Sequence, residues 1–261
     1  MSAGLVYITG ASSGIGQALA LHYYRQGWRL ALVARRSAEL AEWAHEQGLD
    51  AARYRIYAAD VCDVPGITAT GQRCIEAQGL PDVVIANAGI SIGIDSAIYE
   101  DLAVMLRIYA TNNIGLAATF QPFITPMMAR GSGRLVGIAS VAGIRGLPGH
   151  AAYCSSKAAV ISYCESLRGE CRPHGVRVVT IAPGYIDTPL TRQNRYGMPF
   201  LMQPGDFAAR AYAAIDAGAS LRVIPWQMGV VARLLRLLPN ALFDKLLAGR
   251  PRKHRQSEPQ G

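Results

Sequence analysis

The sequence predicts an α/β fold: one domain built on a doubly wound parallel sheet of about seven strands, with helices on both faces. Three observations predict it. Seven short apolar runs alternate with stretches of helical length, the order that gives a parallel sheet. A glycine-rich turn, Thr9 to Gly16, separates the first run from the first helical pattern. The runs end in small or polar residues, and in such sheets a ligand sits beyond the carboxyl ends of the strands.

The chain has 261 residues, half of them apolar and 17% charged, which excludes a disordered chain. No repeat, low-complexity tract or linker divides it before the tail. The five cysteines (Cys62, Cys74, Cys154, Cys164, Cys171) show no metal-like C-x-x-C spacing and read as free thiols in a reducing compartment, with no metal site. No signal peptide precedes Leu5, and no apolar run reaches the roughly 18 residues that span a bilayer. A cytoplasmic location is the expectation. The net charge of +8 raises nucleic acid as a partner, but the basic residues lack interleaved aromatic platforms, so none is expected.

Residues 4–9 read as the first buried strand. The turn behind it carries Gly10, Gly14 and Gly16, spaced G-x-x-x-G-x-G. Glycines let a backbone approach a ligand closely, and the helix start behind them offers free N–H groups to a phosphate. Trp28 to Ala34 is the second strand, followed by Arg35-Arg36. An acidic residue at this place holds ribose hydroxyls, whereas an arginine accommodates a 2′-phosphate. NADP(H) is therefore favoured over NAD(H); the bland reading is a solvated basic pair. A helix is expected from Ser37, as N-cap, to Gly48. A third strand covers 53–59 and ends at Asp60-Val61. A helix at 66–78 has Pro65 in its first turn. The fourth strand, 82–86, ends in Asn87-Ala88-Gly89.

Residues 97–111 are predicted helical. Asn112-Asn113-Ile114-Gly115 then interrupts a helical region running to Met128, and residues so costly in mid-helix indicate a kink or a functional role. Arg134 to Ala139 is the fifth strand, with Ser140 at its end. A glycine-rich loop leads into a helix from about Tyr153 to Cys171. On it Tyr153 and Lys157 lie four apart, on one face. A free tyrosine titrates near ~10, and a neighbouring cation favours its phenolate. The pair suggests an acid/base group working on an oxygen. Val176 to Ala182 is the sixth strand and ends in Pro183-Gly184. The aperiodic stretch 184–205 reads as a binding loop and offers Tyr185, Leu190, Tyr196, Met198, Phe200, Leu201 and Met202 to an apolar substrate. A helix, 206–217, and a seventh strand, 220–224, complete residues 1–225.

Residues 226–261 form an extension. Val231, Leu234, Leu235 and Leu238 make a helical stripe, Pro239 breaks it, and 240–248 is a second amphipathic segment. A basic end with Arg250, Arg252, Lys253 and Arg255 follows. An apolar stripe beside basic residues suits peripheral membrane contact through 226–255; the alternatives are packing on the substrate mouth or on a second subunit.

Together these motifs resemble the short-chain dehydrogenase/reductase family, over roughly residues 4–225. The resemblance implies a Rossmann fold in which Gly10, Ser12, Ser13, Gly14, Ile15 and Gly16 bind the cofactor pyrophosphate. Asp60 and Val61 would meet the adenine, and Asn87, Ala88 and Gly89 would close the adenosine side. Pro183, Gly184, Ile186 and Thr188 would lie at the nicotinamide. The family's catalytic set maps onto Asn112, Ser140, Tyr153 and Lys157. Ser140 would stabilise the substrate oxygen, Tyr153 would exchange its proton, Lys157 would lower the tyrosine pKa and bind the ribose, and Asn112 would hold a water. Two departures stand out. Ser13 replaces the basic residue common in NADP-preferring members, so Arg35 and Arg36 carry that preference alone. Cys154 stands where relatives have a small polar residue and is read as passive.

The expected function is thus NADP(H)-dependent interconversion of a carbonyl and an alcohol on an apolar or lipid-like small molecule, by a homodimer or homotetramer. A cofactor-binding sensor without catalysis, or a superfamily isomerase or epimerase, is the alternative.

Overall fold

The computed structural model describes residues 4–192, 194, 197–249, 253 and 255. Seven strands form one parallel sheet: β1 (Leu5–Thr9), β2 (Arg29–Ala34), β3 (Tyr54–Ala58), β4 (Val83–Ala86), β5 (Gly133–Ile138), β6 (Val176–Pro183) and β7 (Leu221–Ile224). Their order is β3-β2-β1-β4-β5-β6-β7. The order reverses between β1 and β4, whose register pairs Tyr7 with Val84. That reversal opens a crevice at the carboxyl ends of the two central strands.

The helices are α1 (Gly14–Arg25), α2 (Ser37–Glu46), α3 (Val64–Gln78), α4 (Asp101–Tyr109), α5 (Gly115–Arg130), α6 (Ala151–Cys171), the short α7 (Pro189–Arg192), α8 (Pro204–Asp216), α9 (Trp226–Leu237) and α10 (Asn240–Leu247). Side chains alternate across the sheet, so β1 feeds two cores. Val6 and Ile8 pack with Leu19 and Tyr23 of α1, Leu40 of α2, and Phe207 and Ile215 of α8. Leu5 and Tyr7 pack with Ile67 of α3, Phe120 and Phe123 of α5, and Val160 and Leu167 of α6. β1 and β4 are buried at every residue, which is why their sequences read as unbroken apolar runs.

Local differences from the sequence reading have physical causes. Ser37 begins α2 rather than capping it; Arg36 occupies the cap position and pairs with Glu39 at 3.0 Å. Asp63 caps α3 by accepting from Gly66 N at 3.1 Å, which starts that helix at Val64. The expected interruption before Gly115 is a π-turn over Ala110–Ile114, not a break. One extra residue widens the turn and leaves α4 and α5 continuous. On α9, Met228, Gly229 and Ala232 are buried and Val231 and Leu235 half-buried, as is Leu238 just after the helix, whereas Leu234 lies on the exposed side. The helix is rotated from the expected stripe because its small residues allow close approach to β7.

Candidate active site

The carboxyl ends of β1, β2, β4, β5 and β6 border one cleft of about 790 Å³. Nearly every expected site residue lines it: Gly10, Ser12, Ser13, Gly14, Ile15, Arg35, Arg36, Asp60, Val61, Asn87, Ala88, Gly89, Ser140, Tyr153, Lys157, Pro183, Gly184, Ile186 and Thr188. Gly16 and Asn112 do not line it; both act from behind its wall.

At one end the turn after β1 is held in shape by Asn87, just beyond β4, and by Thr9 at the end of β1. Asn87 Nδ2 donates to the carbonyls of Thr9 and Gly10 at 3.0 and 3.2 Å, and Thr9 Oγ1 accepts from the N–H groups of Asn87 and Ala88. A Cβ at Gly16 would stand 2.1 Å from the Gly10 carbonyl oxygen, so only glycine lets α1 start this close to the turn. No side chain caps α1 and no acidic residue sits in its first turn. Its leading N–H groups and positive dipole end are therefore directed at an anion, and this cradle fits a dinucleotide pyrophosphate.

Arg35 and Arg36 stand at the same end, both exposed. Arg35 reaches Asp60 at 3.5 Å. Ala34, Arg35 and Arg36 at the end of β2 include no carboxylate, but the end of β3 supplies one to Arg35. Asp60 Oδ1 also accepts from Cys62 N at 2.9 Å, which fixes the β3 end beside Val61.

At the other end, Ser140 follows β5 and its hydroxyl accepts from Ala142 N at 3.1 Å. The turn it opens lies directly on α6: a Cβ at Gly143 would meet the Lys157 carbonyl carbon at 2.6 Å. Ser140 and Tyr153 border the same cleft, close enough for the serine hydroxyl to favour the phenolate. Lys157 is buried, and its Nζ donates to the Ile138 carbonyl at 2.9 Å and lies 5.9 Å from the centre of the Tyr153 ring.

Burial dominates the electrostatics here. It pushes the Tyr153 phenol up to about 12, against the lowering effect of Ser140. It brings the Lys157 ammonium down to about 8. The expected depression of the phenol by Lys157 is therefore not produced by the protein alone. A charged form loses water on both side chains, and the lysine is held by the β5 carbonyl rather than against the phenol oxygen.

Asn112 sits in the π-turn. Its Oδ1 accepts from Ile90 N at 2.9 Å, and its Nδ2 donates to Ile90 O at 3.0 Å and to Ser156 Oγ at 2.9 Å. The amide thus ties the Gly89–Ile90 wall to α6 with both of its N–H groups and one bond to its oxygen. Asn113 Nδ2 reaches the Ser156 carbonyl at 2.8 Å, so both asparagines bind the same helix. Cys154 is buried and its thiol is pushed up by burial, as an inert thiol would be.

Sequence reasoning missed Ile90, Ile92, Arg107 and Thr111, which also line the cleft. The two isoleucines follow the Asn87–Gly89 motif without a pattern of their own; Arg107 lies on α4 and Thr111, four residues on, lies within the π-turn. Of the apolar loop residues, Leu190 lines the cleft, together with Pro189 and Thr191. Met202 instead turns to the core, where it zips the loop by receiving from Asp187 N and donating to Tyr185 O. Tyr196 lies outside the described residues. Asp187 is engaged by Arg192 at 2.8 Å.

The extension closes on this end. Lys253 Nζ donates to Ser91 Oγ at 2.9 Å, and Arg255 pairs with the buried Asp101 at 2.7 and 3.2 Å. Gly93 and Arg255 form a β-bridge. These two cations face the protein, so the basic end is not wholly a free patch; Arg250 and Arg252 lie outside the described residues. Among the described residues, no cluster of His, Cys, Asp or Glu is gathered to hold a metal. Nor is any helix there long and apolar enough to cross a membrane.

A family model described as short chain dehydrogenase matches residues 4–198. An uncharacterized oxidoreductase of Myxococcus xanthus is 40% identical over 248 residues, covering 94% of this chain and 96% of its own. The bovine dehydrogenase/reductase SDR family member 7B is 31% identical, over 97% of this chain and 83% of its own. Among solved structures, a short-chain dehydrogenase from Streptomyces avermitilis superposes with a TM-score of 0.80 at 25% identity, covering 94% and 96% of the two chains. An alcohol dehydrogenase from the archaeon Thermococcus sibiricus, solved with 5-hydroxy-NADP, gives 0.74 at 26% identity over 85% and 96%.

Proposed function

The chain belongs to the short-chain dehydrogenase family and is a nicotinamide-dependent oxidoreductase; from that premise we propose that it interconverts a carbonyl and an alcohol on an apolar substrate, with NADP(H) preferred over NAD(H). The observation that carries the reading is the meeting of Ser140, Tyr153 and Lys157 in one cleft with an anion cradle at its far end.

The nicotinamide, when bound, supplies or accepts the hydride. The protein handles the proton and the charge. A phenol held near 12 is protonated at neutral pH, which readies Tyr153 to donate to a substrate oxygen during reduction. The Ser140 hydroxyl, in the same cleft, donates to the same oxygen and stabilises its developing charge. Lys157, held by the Ile138 carbonyl and largely protonated at pH 7, offsets the phenolate left behind. Asn112 and Asn113 act by positioning α6.

Ile90, Ile92 and Leu190 give the substrate end an apolar wall, which supports a bulky apolar ketone or alcohol. The phosphate preference is supported by Arg35 and Arg36: their ion pairs are exposed, and such pairs contribute at most about 1 kcal/mol, so a 2′-phosphate readily replaces the carboxylates. The Thermococcus relative, crystallised with a modified NADP, is in keeping with this. A sensor would not require Ser140, Tyr153 and Lys157 to converge, and an epimerase of this superfamily would need a larger substrate domain.

The test is a panel of apolar ketones and alcohols assayed with both cofactors. Turnover with NADPH at a clearly higher kcat/KM than with NADH is expected. Tight cofactor binding without turnover of any compound would overturn the reading in favour of a sensor.

A further inference from the structure

Helix α9 is apolar on two opposite edges. On one, Met228, Gly229 and Ala232 are buried; Gly229 lies against Val223 of β7, and Met228 covers Gly184 at the cleft. On the other, Trp226, Val230, Leu234 and Leu237 form a stripe that is 67%, 44%, 60% and 80% exposed. On α10, Leu242 and Leu246 are exposed as well, around a buried Phe243. One side chain ties the corner between the two helices together. Arg145, five residues after Ser140, donates to the carbonyls of Leu235 and Leu238 and to Asn240 Oδ1, and stacks on the Phe243 ring at 3.7 Å. A helix apolar on both sides, with only one side covered, calls for a second apolar partner.

Charge selects the partner. Between Ala217 and Ser257 the sequence has eight Lys or Arg and a single acidic residue, Asp244, so most of the chain's excess positive charge lies here. Arg233, Arg236 and Lys245 are exposed on the same two helices as the stripe. A two-fold contact with a second copy would set these cations against their own equivalents. An anionic lipid surface instead meets both features, the apolar stripe entering the acyl boundary and the cations reaching phosphate groups. Trp226 has the amphipathic ring favoured at that boundary. Lys253 and Arg255 take no part, because they face Ser91 and Asp101.

We propose that the α9–α10 corner is a docking face for an anionic lipid surface, through Trp226, Val230, Leu234 and Leu237 with Arg233, Arg236 and Lys245. This does not depend on the reaction assigned above, since lipid binding is read without turnover.

The experiment is flotation of the full-length protein with phosphatidylcholine vesicles, with and without phosphatidylglycerol. The wild type is expected to float with the anionic vesicles and to be released by salt. Combining Arg233→Gln with Arg236→Gln should weaken binding roughly thirtyfold. Combining Trp226→Ser, Leu234→Ser and Leu237→Ser should abolish flotation while leaving the circular dichroism melt unchanged. Absence of flotation, or flotation indifferent to both variants, would overturn the proposal. So would loss of a dimer in the serine variant without any lipid binding, which would assign the face to a second copy.

Discussion

The two ends of the cleft are built differently. The cofactor end is made of backbone: strand termini, the uncapped start of α1, and glycines whose neighbours leave no room for a Cβ. Its side chains, such as Asn87 and Thr9, mainly hold that backbone in place. The end we propose for the substrate is made of side chains on separate elements: Ser140 after β5, Tyr153 and Lys157 on α6, Ile90 and Ile92 beyond β4, and Leu190 on α7. It is then braced by the tail through Arg255 and Asp101. Backbone sites tolerate few substitutions and bind one kind of ligand; side-chain sites change ligand by changing loops.

Lys157 sits at the seam and gives the largest expected effect. Lys157→Met should remove nearly all turnover. It should also change how stability depends on pH. The folded pKa, about 8, lies below the ordinary lysine value of 10.5, so below pH 8 the lysine is charged in both states and the fold bears the full cost of burying the charge. Between about 8 and 10.5 the folded protein releases the proton first, and stability is gained as pH rises. The wild type should gain on the order of 3 kcal/mol relative to Lys157→Met across that window, measured by denaturant titration. Parallel curves would show that Lys157 is not buried as described.

Gly16→Ala tests the backbone end. The added methyl would stand 2.1 Å from the Gly10 oxygen, and relieving the overlap should cost about 1–3 kcal/mol and remove cofactor affinity in titrations. An alanine variant that binds cofactor normally would break the account of the cradle. Replacing Arg35 and Arg36 by alanine should weaken NADP(H) roughly ten- to a hundredfold while leaving NAD(H) nearly unchanged; equal losses would remove the phosphate reading. The smallest effect should come from Asp101→Asn, which loosens the tail's hold on the substrate end. Substrate KM should rise by no more than about tenfold, with cofactor affinity unaltered. A change confined to the cofactor would show that the two ends are not separately built.

The difference between the ends also decides what the sequence could reveal. The sheet and the cradle were legible because buried parallel strands demand continuous apolar runs and a phosphate turn demands glycines at set spacings, here Gly10, Gly14 and Gly16. Asn112 was visible as a costly residue in mid-helix, but its partners, Ile90 and Ser156, are 22 and 44 residues away and leave no local trace. The charge balance at Tyr153 leaves no local trace for the same reason. Spacing places Lys157 on the same face, while burial and the Ile138 carbonyl, which come from the tertiary fold, decide both charges. On α9 the periodicity was real, yet a helix apolar on two edges does not state which edge packs.

The central claim is that Tyr153 is the proton donor of a cleft whose cofactor end is independent of it. Its most direct test is Tyr153→Phe, with turnover and NADPH affinity measured on the same preparation. The account expects turnover to fall by about 10²–10⁴ with the dissociation constant for NADPH unchanged; retained turnover, or loss of both together, would contradict it.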